Sequence, residues 1–126
     1  MKKYLFIKCL LCFILLVSFR LSIADPVNIF IQSVSPGMNS VSVNRASDIN
    51  IVFTQNMIAS TLNSSNVIVN GVYSGIISSN INYNAALKTL SVDHLTDFKT
   101  GEKIFITLKS EIKTENNIQI NPFIYS

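Results

Sequence analysis

The 126 residues leave room for one domain, and a composition of 48% hydrophobic against 13% charged residues excludes a disordered, charge-rich chain. The formal charge of +3 does not point to nucleic acid, because Lys2, Lys3, Lys8 and Arg20 all lie within the first 24 residues. Without that segment Lys+Arg falls from 10 to 6 against 7 Asp+Glu, and the remainder is near −1.

The first segment has the layout of a secretory signal peptide. Met1-Lys2-Lys3 is a short basic start, Cys9 to Phe19 is an apolar run interrupted only by Ser18, and Ser22-Ile23-Ala24 carries small residues where a signal peptidase reads. A membrane-spanning helix needs ~20 apolar residues, and this run falls short. Residues 1–24 are therefore expected to be a signal peptide cut after Ala24, with a retained N-terminal anchor as the alternative. Cys9 and Cys12 leave with it, and neither sits in the small-residue pattern of a lipoprotein signal. The domain at 25–126 then has no disulfide, and hydrophobic packing must hold it, which is feasible at this size.

From Asp25 the chain is rich in Val, Ile, Thr, Ser and Asn, a composition of strands joined by turns. Val27 to Ile31 alternates and leads towards the turn pair Pro36-Gly37, giving a first strand. Val41 and Val43 alternate next, as a short strand or an extended edge. In Asp48 to Phe53 the residues Ile49, Ile51 and Phe53 recur with the period of two that places them on one strand face. The pattern breaks at Thr54-Gln55-Asn56, and Met57 returns a pliable apolar side chain. This is the central strand of the expected β-sandwich.

Met57 to Leu62 fits one helical turn capped by Asn56, too short to stand alone. Asn66 to Val69 reads as a strand and Asn70-Gly71 as a tight turn. Tyr73 to Tyr83 reads as one strand of weak register. Leu87 to Val92 is another, with Leu90 and Val92 on one face. A turn at Gly101 leads into a strand with Ile104, Ile106 and Leu108 on one face, while Phe30 and Phe105 fall out of phase with their strands' core faces. They cover a hydrophobic edge or mark a contact surface. Glu115-Asn116-Asn117 offers a turn, since asparagine tolerates the left-handed region. Ile118 to Ile120, Pro122 and Phe123-Ile124-Tyr125 complete the chain. Strands at about ten-residue spacing describe an all-β sandwich.

Several of these residues carry a resemblance. Val34-Ser35-Pro36-Gly37, Ile49-x-Ile51-x-Phe53-Thr54-x-x-Met57, Thr61-Leu62-Asn63, Phe98-x-x-Gly101-Glu102-x-Ile104-x-Ile106-x-Leu108 and Pro122-Phe123 occur in an order and spacing that resembles the bacterial Ig-like domain of S-layer proteins, the SbsA type. The resemblance covers most of Val27 to Tyr125. Thr100 stands where a proline often precedes the glycine, and Asn117 where a glycine is common; both suit turns. The resemblance implies an Ig-like β-sandwich of about seven antiparallel strands, used as a spacer, stalk, adhesive or accessory module, with no catalytic residues to carry over. It also implies a last strand pairing with Ile104, Ile106 and Leu108. That strand is expected to be shortened, as in a clipped chain or one with further domains downstream. The exposed edge would invite strand association.

Little in the chain reads as reaction chemistry. His94, the single histidine, sits in Asp93-His94-Leu95-Thr96-Asp97. A metal site with Asp93 and Asp97 would lack the further convergent ligands such sites use, and a solvated loop is the expected setting. Gly71-Val72-Tyr73-Ser74-Gly75 places its serine one position too late for a nucleophile elbow. Asp48, Asp93, Asp97, Glu102, Glu111 and Glu115 are too scattered for a calcium loop. Asn63-Ser64-Ser65 fits a glycosylation acceptor, with a polar loop as the simpler reading. Tyr73 and Tyr83 are aromatics for a carbohydrate surface or half-buried strand residues. No catalytic, metal or cofactor residues are therefore assigned.

The expectation is a non-enzymatic structural, spacer or adhesive module of an exported bacterial protein, secreted or at the cell surface. Its partners would be extracellular protein or polysaccharide, with no nucleic acid and with membrane contact only through the signal segment. The alternative is an accessory module that binds carbohydrate or another surface polymer for an exported enzyme. Coplanar exposed aromatics on one sheet face would favour that alternative, and an all-polar outer face the spacer.

Overall fold

Residues 30–126 are described by the computed structural model. The signal segment at 1–24 and the start of the expected first strand, Val27 to Ile29, lie outside the described residues. In chain order the strands are β1 (Ile31–Ser35), β2 (Ile49–Phe53), β3 (Val67–Gly71), β4 (Gly75–Ile77), β5 (Ser79–Asn84), β6 (Thr89–His94), β7 (Ile104–Leu108) and β8 (Phe123–Tyr125). One sheet has the order β1-β2-β6-β5 and the other β4-β3-β7-β8. Every strand pairing is antiparallel. This is the all-β sandwich that the alternation predicts, in the two-sheet form that the resemblance implies.

The core follows from that alternation. Ile49, Ile51 and Phe53 of β2 are buried, and their cross-strand partners Leu90 and Val92 on β6 are fully enclosed. Val67 and Val69 of β3 meet Leu108 and Ile106 of β7 from the other layer. Each such aliphatic side chain contributes ~1.5–3 kcal/mol when fully withdrawn from water. Met57 fills the end of this core, buried as expected. Its backbone N–H donates to the Tyr83 hydroxyl at 3.0 Å, and Tyr83 stands edge-on to Phe53 with ring centroids 6.3 Å apart.

Five expectations are corrected. Val41 and Val43 form no strand; Val41 is 87% exposed in the loop between β1 and β2. The single turn after Met57 is a 3₁₀ turn at Ala59–Thr61, and Ile58 rather than Asn56 is its N-cap, without a side-chain cap bond. Asn70-Gly71 is strand, not turn: both pair with β4 and β7, and the reversal falls at Val72 to Ser74. Tyr73 to Tyr83 is not one strand. Ser78 divides it into β4 in one sheet and β5 in the other, giving eight strands where about seven were expected. Phe30 is not an edge cover, because the register of β1 shifts between Ile31 and Ser33, and both Phe30 and Ile31 pack against the core.

The motif residues Thr61-Leu62-Asn63 organise the end of the sandwich near Met57. Thr61 Oγ1 donates to the Ile58 carbonyl at 2.7 Å and accepts from Lys113 N–H at 3.1 Å. Leu62 is buried, and Asn63 Oδ1 accepts from the N–H groups of Ser65 and Asn66 while its Nδ2 donates to the Ser60 carbonyl. The Asn63 amide thus shapes a turn, in line with the polar-loop reading of Asn63-Ser64-Ser65. At Glu115 to Asn117 the chain turns as expected, with Asn117 at φ 62°.

Candidate functional site

The loop after β1, the loop between β6 and β7, and the end of β8 surround an open cavity of about 780 Å³. Its floor is apolar, from Ile49, Ile104, Ile106 and Tyr125, and Val41 and Val43 line it from the loop side. Arg45, Lys99 and Lys103 bring positive charge to the lining. The loops are tied together by Phe98 N–H donating to the Arg45 carbonyl at 3.2 Å, and by Asn39 N–H donating to the Ser126 carbonyl. Most residues of the sequence that invite a chemical reading lie on or near these loops.

Glu102 is the most heavily bonded of them. Its Oε1 accepts from the N–H groups of Tyr73 at 2.9 Å and Ser74 at 2.6 Å. Its Oε2 accepts from Ser74 Oγ at 3.0 Å and Lys99 N–H at 3.2 Å. One carboxylate therefore fastens the β3–β4 turn to the β6–β7 loop. Desolvation by the packed backbone is the largest single influence on its pKa and raises it. The amides of Lys99, Ser74 and Tyr73, with the Ser74 hydroxyl, together outweigh that effect and hold the carboxyl below its ordinary value. The Ser74 hydroxyl is committed to this carboxylate, and Gly75 beyond it adopts φ 69° to begin β4.

His94 corrects the expectation of a solvated loop. It is the last residue of β6 and is only 6% exposed. Nδ1 faces the Thr96 carbonyl at 2.8 Å and Nε2 faces the Ser47 carbonyl at 3.1 Å, while the ring stacks on Phe98 with centroids 3.9 Å apart. Both nitrogens are thus turned to backbone oxygens. Asp93 lies on the outer sheet face, 3.3 Å from Asn80 Nδ2, and Asp97 is exposed, 3.9 Å from Arg45 Nη2. Asp93, His94 and Asp97 do not converge, and no cluster of three or more possible metal-binding His, Cys, Asp or Glu occurs among the described residues. Sequence reasoning missed the role of Glu102 in fastening the β3–β4 turn to the β6–β7 loop. Its visible signal was the Gly101-Glu102 motif itself.

The two outer sheet faces differ. Across the first sheet Asn82, Ser91, Asn50 and Ser35 stand in register, and Ser91 Oγ donates to Asn50 Oδ1 at 2.6 Å. The adjoining row is Asn84, Thr89, Val52 and Ser33, so the face is polar apart from one valine. On the second sheet Ile68, Thr107 and Ile124 form one outward row, and Ile76, Asn70 and Phe105 another. Phe105 is half-buried there, with Lys103 Nζ 5.2 Å from its ring centre. Tyr83 is half-buried, and Tyr73 is exposed in the β3–β4 turn. Burial pushes the Tyr125 phenol up, and its hydroxyl has no hydrogen-bond partner among the described residues.

Comparison with solved structures finds the fold in the bacterial S-layer protein SbsC. The crystal structure of its N-terminal part aligns with a TM-score of 0.53 at 14% identity, over 76% of this chain and 23% of that one. A larger portion, the S-layer protein rSbsC, aligns with the same TM-score of 0.53 and 14% identity, over 76% of this chain and 13% of that one. The chain thus spans less than a quarter of either S-layer chain. Comparison with curated proteins finds no match. Residues 25–124 match the family described as bacterial Ig-like domain, a span that takes in all eight strands save the last residue of β8. The chain belongs to the bacterial Ig-like domain family.

Proposed function

We propose that this chain is a non-catalytic module of an exported bacterial protein, a spacer or adhesive domain of the SbsA type found in S-layer proteins. The observation that carries the reading is the polar outer face of the first sheet, with Asn82, Ser91, Asn50 and Ser35 in one row and no aromatic side chain in either row. Such a face stays hydrated beside neighbouring material and offers no flat platform on which a sugar ring would stack. Glu102, Ser74 and His94, the groups best suited to chemistry, are engaged in holding loops. Family membership and the likeness to S-layer folds support the same reading.

Two measurements test it. Cell fractionation with N-terminal sequencing should find the chain in the envelope or medium, beginning near Asp25. Retention in the cytoplasm with an intact leader would overturn the assignment to an exported protein. A glycan array probed with the purified chain should give no saturable signal, and a clean hit would favour the accessory carbohydrate-binding module instead.

A further inference from the structure

β5 closes one end of the first sheet, and its outer edge is weakly guarded. In an antiparallel ladder, successive residues turn their N–H and C=O groups to opposite sides of the strand. Leu95 N–H donates to the Ser78 carbonyl at 3.2 Å, and Asn80, Asn82 and Asn84 follow in the same phase opposite Asp93, Ser91 and Thr89. The even-numbered residues of β5 therefore bond to β6. Ser79, Ile81 and Tyr83 turn their backbone groups outward, where no strand meets them among the described residues. β5 runs for 6 residues in unbroken register and contains no proline and no charged side chain, the devices that commonly protect an edge. By contrast, the adjacent edge strand β4 has 3 residues, and the edge at β1 is interrupted by its register shift. A cleft of about 130 Å³ lies against β5, lined by Val67, Val69, Ile77 and Ile81, and Ile81 is only half-buried.

We infer that β5 is a self-association edge, at which a second copy of this chain adds antiparallel about a two-fold axis at Ile81. This register engages all the outward-turned groups of β5. Ile81 faces Ile81 of the second copy, Ser79 faces its Tyr83, and each pair exchanges both backbone hydrogen bonds. On the outer face Asn80 stands opposite Asn82 of the second copy, two amides that each donate and accept. No like charges oppose one another across the seam, since β5 carries none. The polar row of Ser35, Asn50, Ser91 and Asn82 then continues into Asn80 and Asp93 of the second copy, so the joined sheets keep one polar face. On the inward side the two Ile81 side chains meet at the axis and cover the clefts. A two-fold interface requires a patch complementary to itself. β5 is such a patch, which makes a second copy its occupant.

Sedimentation equilibrium and amide exchange on the purified chain test this. A monomer–dimer equilibrium is expected, in which exchange at Ser79, Ile81 and Tyr83 slows as concentration rises while Asn80 and Asn82 stay protected throughout. Asn80→Lys/Asn82→Lys sets lysine against lysine on both sides of the axis and should weaken the dimer about tenfold at low salt. Asn80→Lys/Asn82→Glu sets opposite charges against each other and should keep the dimer at least as tight as wild type. Both positions are exposed, so the far-ultraviolet circular dichroism of either variant should match wild type. A chain that stays monomeric up to about 1 mM overturns the inference. So does a dimer that the two variants weaken equally or leave unchanged. Protection of Ser79, Ile81 and Tyr83 that is independent of concentration would show the edge covered from within the chain, and would overturn it as well.

Discussion

The carboxylate of Glu102 occupies the space that a side chain on Gly71 would need. A Cβ built on Gly71 would overlap Oε1 and Cδ of Glu102. Gly71 sits in β3, paired on both sides, so its lack of a side chain serves this close approach rather than a turn. The two positions are far apart in sequence and form one structural unit.

Gly71→Ala should dislodge the clasp. The displaced atoms are the end of a flexible side chain, so Glu102 can swing away at the expense of its bonds to Tyr73, Ser74 and Lys99. The stability loss of Gly71→Ala and that of Glu102→Gln should therefore fail to add in a double-mutant cycle. Additive losses in urea unfolding would show that the two residues act independently.

Acid should release the same clasp. The folded-state pKa of Glu102 is lowered, so its contribution is complete above the ordinary glutamate value of about 4.3. It is lost as pH falls through the lower folded value, because the unfolded state then binds the proton more readily. Wild type should exceed Glu102→Gln in stability at neutral pH, and the gap should close as pH falls below about 4. A gap independent of pH would assign the difference to packing.

Phe53→Ala should cost ~3–5 kcal/mol, through lost burial and the cavity left between the sheets. Phe53 is fully enclosed and also carries the edge contact to Tyr83. That is a large share of the stability of a domain this size. A loss under ~1 kcal/mol in denaturant unfolding would contradict its place in the core.

Two tyrosines make opposite predictions for the same substitution. Tyr83→Phe removes the acceptor for the Met57 N–H and should cost about 1 kcal/mol. Tyr125→Phe removes a buried hydroxyl without a partner among the described residues, and should leave stability unchanged or raise it by up to about 1 kcal/mol. Thermal melts of the two variants side by side check both.

His94→Leu should cost about 1–3 kcal/mol, since the carbonyls of Ser47 and Thr96 lose the ring between them and the stack on Phe98 goes. Adding zinc should leave the wild-type melting temperature where it was. A zinc-dependent rise that the variant lacks would revive the metal reading of His94.

How far the sequence could be read depended on the range of the interaction involved. Ile49, Ile51, Phe53, Leu90, Val92, Ile106 and Leu108 were legible because alternation is local and the core face obeys it. Gly71 was misread because an Asn-Gly pair usually signals a turn, and nothing local reveals that Glu102 approaches it. His94 looked like a loop residue because its neighbours Asp93 and Asp97 are polar, while the Ser47 carbonyl that meets its ring comes from the distant loop between β1 and β2. The division of Tyr73 to Tyr83 escaped notice for a related reason: no proline or glycine marks Ser78.

That unmarked serine has a consequence for how the chain tolerates change. Ile77 belongs to one layer and Ser79 to the other, so Ser78 alone turns the corner, its carbonyl held by the Leu95 N–H at 3.2 Å. A corner one residue long leaves no slack to absorb an added amino acid. An insertion there that kept β4 in place would advance β5 by one position against β6, exchanging the inward Ile81 and Tyr83 for Asn80, Asn82 and Asn84. The neighbouring β3–β4 turn and the long loop after β1 can change length without inverting a strand. Natural variants should therefore vary in length at those loops and hold their length at Ser78.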